Sequence, residues 1–153
     1  MCREMRSIVK KNEEYDAKDG IDISICKIGI LNHELEFAGA HNPVYIVRNN
    51  ELTHLRADKI SVGRSMNNSE PVFTNQYMRL QKDDCIYLFS DGFSDQLRGS
   101  DRKKFLAKNF QKLLIEISHQ NMSKQKSILE DTFEKWRAGG DQTDDMMILG
   151  VKV

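Results

Sequence analysis

The sequence predicts an α+β fold, in which helices pack on antiparallel β-sheet. The first two-thirds of the chain contains short alternating or continuously apolar segments separated by turn residues, a pattern typical of strands. In the last third the apolar spacing changes to that of amphipathic helices, and a final strand follows. No repeat, low-complexity tract or linker interrupts the 153 residues, so we expect a single domain over residues 1–153.

Strand-like segments recur through residues 21–89. In the first of them Ile21, Ile23 and Ile25 alternate with polar or small residues, as in a half-buried strand. Further strands are predicted at residues 35–38, 44–48, 52–55, 72–80 and 85–89. The three of these that precede residue 56 have short connections and are expected to be antiparallel neighbours in a meander. The segment at 85–89 is apolar on both faces, which favours a central position in the sheet.

Two helices and a strand are predicted after residue 100. An apolar stripe of helical spacing is formed by Leu106, Phe110, Leu113, Leu114 and Ile117. A second helix is expected to be capped by Ser123 and to end at the Gly139–Gly140 pair. Residues 146–153 are predicted to form the closing strand.

Composition excludes several classes of protein. The 23 Lys and Arg residues balance 23 Asp and Glu, which argues against nucleic-acid binding, because that affinity comes largely from clustered positive charge. The longest apolar runs have about five residues, too few for insertion in a membrane. The opening residues lack the apolar core of a signal peptide, and the three cysteines show no paired spacing. We therefore expect a cytoplasmic protein.

One candidate for chemistry lies where the apolar segment at 85–89 ends. Asp91 follows this strand, and Gly92 lets the backbone turn away sharply and leaves room for an ion. A carboxylate at the end of a rigid strand is well placed to bind a metal. The same two residues are also typical of an ordinary turn, so both interpretations stay open.

A second candidate precedes the closing strand, at Asp144 and Asp145. Adjacent residues at a strand start point to opposite faces, so one of the two is expected to share a centre with Asp91. Mg²⁺ and Mn²⁺ prefer carboxylate and water oxygens, and one or two carboxylates can suffice for part of a site. A solvated acidic loop is the alternative. A third acidic turn, Asp19-Gly20, is expected to serve only the entry to the first strand.

Other kinds of site have little support. The four histidines share no ligand spacing with one another or with cysteine, which weighs against structural zinc. There is no phosphate-binding loop, no dinucleotide fingerprint and no serine-nucleophile elbow around Ser90. We expect His41 to be a loop residue bonded by backbone.

Four short motifs, in their order and spacing, resemble the PPM-type metal-dependent serine/threonine phosphatases, also called protein phosphatase 2C-like. They are residues 19–23 (DGIDI), 38–43 (AGAHNP), 87–93 (YLFSDGF) and 142–146 (QTDDM). The chain is most similar to the bacterial branch typified by stage II sporulation protein E, whose members lie behind sensor and signalling domains. The resemblance implies an antiparallel β-sandwich flanked by helices, and it runs over nearly the whole chain.

The resemblance also implies an activity and its residues. It implies hydrolysis of phosphoserine or phosphothreonine on a bacterial regulatory protein, by a water held at a pair of Mn²⁺ or Mg²⁺ ions that attacks phosphorus in line. Asp91 and Asp144 match metal-binding aspartates of the family, and no catalytic residue beyond the metal ligands is implied. Gly92 and Asp145 are assigned supporting roles, and Asp19 matches no ligand.

The family pattern begins earlier than this sequence does. In the family a further Asp-Gly motif, in a region before the present Met1, bridges both metals, so we expect residues 1–153 to be a partial domain whose N-terminal part is missing and whose metal site is incomplete. Three hypotheses follow: a phosphatase domain or a fragment of one, a catalytically incomplete fragment that acts as a protein-binding or regulatory module, and a generic α+β domain with surface carboxylates.

Overall fold

The computed structural model describes residues 20–29, 31–62 and 72–153, and over these ranges the predicted α+β class is confirmed. The strands are β1 (Ile23–Gly29), β2 (Glu34–Ala40), β3 (Val44–Arg48), β4 (Glu51–Leu55), β5 (Gln76–Arg79), β6 (Cys85–Phe89) and β7 (Ile148–Lys152). The helices are α1 (Gly92–Asp95), α2 (Ala107–Ile117) and α3 (Met122–Arg137). None of the described helices is long and apolar enough to span a membrane.

The chain divides into two compact units, and the first comprises Met1–Pro43 and Arg56–Arg79. Its described part contains a three-stranded antiparallel sheet in which β2 lies between β1 and β5. Leu35 and Phe37 of β2 are fully buried, whereas Glu34, Glu36 and Ala38 are more exposed. The alternation expected of a half-buried strand is therefore present over this part of β2.

A tight turn ends β2. A Cβ on Gly39 would lie 2.7 Å from the Asn42 carbonyl oxygen, so only glycine fits there. His41 has a positive φ of 59°, and its amide donates to the Asp58 carbonyl oxygen at 2.8 Å. His41 is exposed and bonded through its backbone, as predicted.

The predicted meander of three strands is wrong. β2 pairs with β1 and β5, whereas β3 pairs with β4 and β6 in a different sheet. The reason lies in the turn before β3: Pro43 has no N–H to donate, and the left-handed His41 redirects the chain. The β3–β4 hairpin itself is confirmed, and positive φ angles at Asn49 and Asn50 give its two-residue turn the primed geometry that suits twisted strands.

The second unit comprises Val44–Leu55 and Leu80–Val153, and its sheet has the order β4-β3-β6-β7. The apolar strand β6 is interior to this sheet, as its sequence predicts. One face of β3 and β6 packs with α2 and α3 in an aromatic-rich core. The buried members of that core are Tyr45, Val47, Cys85, Tyr87, Phe93, Phe105, Phe110, Leu114, Ile117, Leu129 and Phe133.

Helix α3 begins earlier than expected. The predicted cap Ser123 is wrong, because the Oδ1 atom of Asn121 accepts the Lys124 amide at 2.9 Å and Ser123 is already helical. The helix ends at Arg137, where Ala138 takes the left-handed conformation before Gly139. The Gly139–Gly140 pair therefore follows the helix, as predicted.

Candidate functional site

The acidic segments around Asp91 and Asp144 belong to the second unit, and the pairing of β6 with β7 brings their backbones together. Phe89 is the partner of Ile148 in the antiparallel ladder. The Ser90 amide continues the ladder by donating to the Met147 carbonyl oxygen at 3.0 Å. The end of β6 and the start of β7 thus lie side by side, and Asp91 begins a turn at this edge.

Ser90 ties the two segments a second time through its side chain. Its Oγ atom donates to the Asp145 carbonyl oxygen at 2.8 Å and accepts the Met147 amide at 2.9 Å. This structural role of Ser90 was not predicted from the sequence, where the residue was weighed only as a nucleophile. A serine placed directly before the Asp-Gly turn was the available signal.

Gly92 allows the closest approach in the site. A Cβ at this position would lie 2.5 Å from the Asp145 carbonyl oxygen and 2.9 Å from the Asp145 carbonyl carbon, both backbone atoms. The residue is buried, and no side chain fits between the two segments. The sequence-based reason for this glycine was a sharp turn, whereas the structure shows a close backbone contact.

Local hydrogen bonds hold both aspartate segments. The Asp91 carbonyl oxygen accepts the Asp95 amide and the Ser94 hydroxyl, each at 2.9 Å, as α1 begins. On the other side, the Asp144 Oδ1 atom accepts the Asp145 amide at 2.7 Å. Asp91, Asp144 and Asp145 are all exposed, so a ligand in solvent can reach their carboxylates.

The fit of this site to a metal ion is partial. Divalent cations of the Mg²⁺ class are held by about six oxygens, of which a protein often supplies only one or two carboxylates. Within residues 20–29, 31–62 and 72–153 no group of three or more His, Cys, Asp or Glu side chains could hold a metal. Asp19, which was expected to play no part, lies outside the described residues. The described residues therefore provide at most part of a coordination sphere.

A cavity of about 450 Å³ also lies in the second unit, between α3 and β7. Its lining includes Met122, Leu129, Met146 and Ile148, and neither Asp91 nor Asp144 contributes to it. Polar side chains of α3, among them Ser123, Lys126 and Glu130, complete the lining. Because neither aspartate lines it, the cavity is not part of the acidic edge.

Comparison with known proteins places the chain in a family. The profile of the family described as stage II sporulation protein E (SpoIIE) matches residues 3–153. No curated protein matches the sequence.

Solved structures with the same fold include several bacterial phosphatase domains. The SiaA-PP2C domain of Pseudomonas aeruginosa has a TM-score of 0.87 and 21% identity, with 99% of this chain and 59% of that chain covered. The SpoIIE phosphatase domain of Bacillus subtilis, presoaked with Mn, has a TM-score of 0.68 and 14% identity, with 99% of this chain and 62% of that chain covered. The Mycobacterium tuberculosis serine/threonine phosphatase PstP has a TM-score of 0.66 and 15% identity, with 99% of this chain and 67% of that chain covered.

These structures share two antiparallel sheets and helices with this chain. The chain spans about three-fifths of the length of the first two, 59% and 62%. Members of the family use Mn²⁺ or Mg²⁺. Because the family profile covers nearly every residue, the chain belongs to the stage II sporulation protein E (SpoIIE) family, which is a family of serine/threonine protein phosphatases.

Proposed function

We propose that these residues form part of a metal-dependent phosphatase that hydrolyses phosphoserine or phosphothreonine on a bacterial regulatory protein. The observation that carries the proposal is the contact between the two acidic segments, in which Ser90 and Gly92 hold the Asp91 turn against the backbone of Asp145. A solvated acidic loop and an unrelated turn would not need this double attachment. Family membership supplies the reaction class.

In this proposal Asp91 and Asp144 are the metal ligands that the chain contributes. Both are exposed at the edge of a rigid sheet, where a phosphorylated segment of another protein can approach. Asp145 supports the site through its amide, which donates to the Asp144 carboxylate and restricts its rotation. A divalent ion, when bound, lowers the pKa of water and neutralises charge that develops on the phosphoryl oxygens.

The remaining ligands would come from residues outside those described. Two carboxylates would leave most of the coordination sphere to water, so the described residues alone would hold an ion weakly. We therefore expect strong activity from a polypeptide that contains these 153 residues together with the rest of the phosphatase domain.

The test is Mn²⁺-dependent hydrolysis of a phosphoserine peptide by that longer polypeptide. Loss of a residue that only supports a metal ligand typically costs up to about 100-fold in metal affinity or activity. Asp91→Asn and Asp144→Asn remove ligands themselves, so each should lower kcat/KM by more than that. Asp131→Asn is the matched control, because Asp131 is an exposed acid on α3. Hydrolysis unchanged by Asp91→Asn would contradict the proposal.

A second candidate function is a catalytically incomplete module that binds or regulates another protein. Two observations favour it: no set of three metal-ligating side chains exists among the described residues, and the chain spans only 59% and 62% of two matched structures. This candidate predicts that the 153 residues fold and show no Mn²⁺-dependent hydrolysis. It also predicts a protein partner that Asp91→Asn still binds.

A further inference from the structure

Gln96 is a buried polar residue one position beyond the end of α1. It has no exposed surface, yet its side-chain amide is fully used. The Nε2 atom donates to the carbonyl oxygens of Leu97 at 3.0 Å and Asp141 at 2.9 Å. The Oε1 atom accepts the Thr143 amide at 3.3 Å, and the Gln96 carbonyl oxygen accepts the Trp136 indole N–H at 3.0 Å.

These bonds join the two segments that carry the proposed metal ligands. On one side, Asp91 is separated from Gln96 only by the short helix α1. On the other, Thr143 directly precedes Asp144, in a stretch from 141 to 145 that is exposed and has no helix or strand. Ser90 and Gly92 hold this loop at Asp145, its C-terminal end. The Gln96 bonds at Asp141 and Thr143 hold it before Asp144, so the backbone is attached on both sides of that residue and its position is restricted.

The environment of Gln96 argues for a role beyond filling space. Burying an amide carries a free-energy cost unless every polar atom is bonded, and an apolar residue of the same volume would avoid that cost. What the amide adds is directional: it bonds to a donor and to an acceptor of one loop at the same time. Such a residue specifies one loop conformation.

We propose that Gln96 is a positioning residue that holds the loop carrying Asp144 in register with the turn carrying Asp91. The inference rests on the proposed function for its catalytic meaning, but the loop anchoring can be measured without metal or substrate. Gln96 touches neither carboxylate and acts through the backbone of residues 141–143.

The matched test compares two buried glutamines of the same unit by amide hydrogen exchange. Gln125 is also buried, and its amide bonds to Tyr87 and to the Gln120 carbonyl oxygen at the start of α3, away from the acidic loop. Gln96→Met should accelerate exchange at Thr143 and Asp145 about tenfold, whereas Gln125→Met should leave them within about twofold of the wild type. Equal effects of the two variants on these amides would overturn the proposal.

Amide exchange in the wild-type chain and the Mn²⁺ dependence of hydrolysis test the role of Gln96 in two further ways. In the wild-type chain the Thr143 amide should exchange about tenfold more slowly than the Gln142 amide beside it, and an unprotected Thr143 overturns the proposal even if Gln96→Met does not fold. In the longer polypeptide, Gln96→Met should raise the Mn²⁺ concentration for half-maximal hydrolysis about tenfold, within the range for loss of a supporting residue, with a smaller change in kcat. If the wild type hydrolyses nothing, the proposed function fails while the exchange data still decide the role of Gln96.

Discussion

Gly92 and the carbonyl oxygen of Asp145 are separated by less than the space a methyl group needs, since a Cβ on Gly92 would lie 2.5 Å from that oxygen. The Ser90 hydroxyl donates to the same oxygen at 2.8 Å. Ser90 and Gly92, which flank Asp91, therefore both contact the same backbone carbonyl group of the opposite segment. This contact holds together the two segments that carry Asp91 and Asp144, without any ion between them.

Gly92→Ala should therefore displace the loop that carries Asp144. The added methyl group meets backbone atoms, which cannot rotate away, so we expect a loss of about 1–3 kcal/mol in the free energy of unfolding and a large loss of Mn²⁺-dependent hydrolysis. Urea denaturation and phosphopeptide hydrolysis measure the two effects.

Gly150→Ala is the matched control on β7. A Cβ there would lie 3.2 Å from the Met122 sulfur, the flexible end of a side chain that can shift, so stability should change less than for Gly92→Ala. Full activity in Gly92→Ala would contradict the role given to this contact.

An ion pair in the second unit predicts acid sensitivity. Arg48 Nε and Nη2 donate to the Asp84 Oδ1 and Oδ2 atoms at 2.8 and 2.6 Å, and the Gln81 amide donates to Oδ2 at 2.8 Å. Burial alone would raise the pKa of Asp84, but the hydrogen bonds and charge of Arg48 and the Gln81 amide outweigh it and lower that pKa below 3.8. The folded state therefore favours the ionised carboxylate.

Arg48→Met should remove about 2–3 kcal/mol of stability at neutral pH, because it leaves a buried carboxylate without its cation. A lowered pKa contributes stability that is present above about pH 4, the unfolded value, and is lost as the pH falls through the folded value. The difference between wild type and variant in urea melts should thus shrink below about pH 4. Glu36→Gln, which breaks the exposed Lys27–Glu36 pair, should change stability little, and an equal effect of both variants would refute this account.

Much of the fold was predictable because it depends on local patterns. The interior position of β6 followed from a segment that is apolar on both faces. The β3–β4 hairpin followed from the short connection between the segments at 44–48 and 52–55. The meander was wrong, because short connections do not determine which strands pair when a turn such as that at His41 redirects the chain. Strand partners depend on contacts between residues distant in sequence, which periodicity does not report.

In the candidate site, too, contacts between residues distant in sequence could not be predicted. Asp91 and Asp144 could be selected from their places at strand ends, but the contacts that bring their segments together could not. Ser90 and Gln96 act through hydrogen bonds to residues 55 and 47 positions away along the chain. No spacing rule in a single sequence connects such partners, so their roles required the pairing of β6 with β7.

The thiol of Cys26 in β1 is predicted to react slowly. Burial raises its pKa from 9.0 to about 11, so near pH 8 it should contain about 100-fold less thiolate than an ordinary cysteine. We expect alkylation by iodoacetamide, followed by mass spectrometry of the peptide containing Cys26, to be slower by about that factor in the folded chain. The rate should recover in denaturant.

The raised pKa of Cys26 also makes the stability of the folded chain depend on pH in the alkaline range. A raised folded pKa contributes stability that is present below the unfolded value of 9.0 and is lost as the pH rises towards about 11. Cys26→Ala should remove this part of the alkaline destabilisation. A Cys26 thiol that reacts at the same rate in folded and unfolded chains would show that β1 does not bury it.

Calorimetric titration with Mn²⁺ tests the central claim most directly, namely that Asp91 and Asp144 bind the same metal site. The titration would use the polypeptide that contains these 153 residues and the rest of the phosphatase domain, as wild type, Asp91→Asn, Asp144→Asn and the double variant. Ligands of one ion are strongly coupled, so each single variant should weaken binding at least about tenfold and the double variant should add little more. Additive losses, or affinity unchanged by either substitution, would contradict the claim.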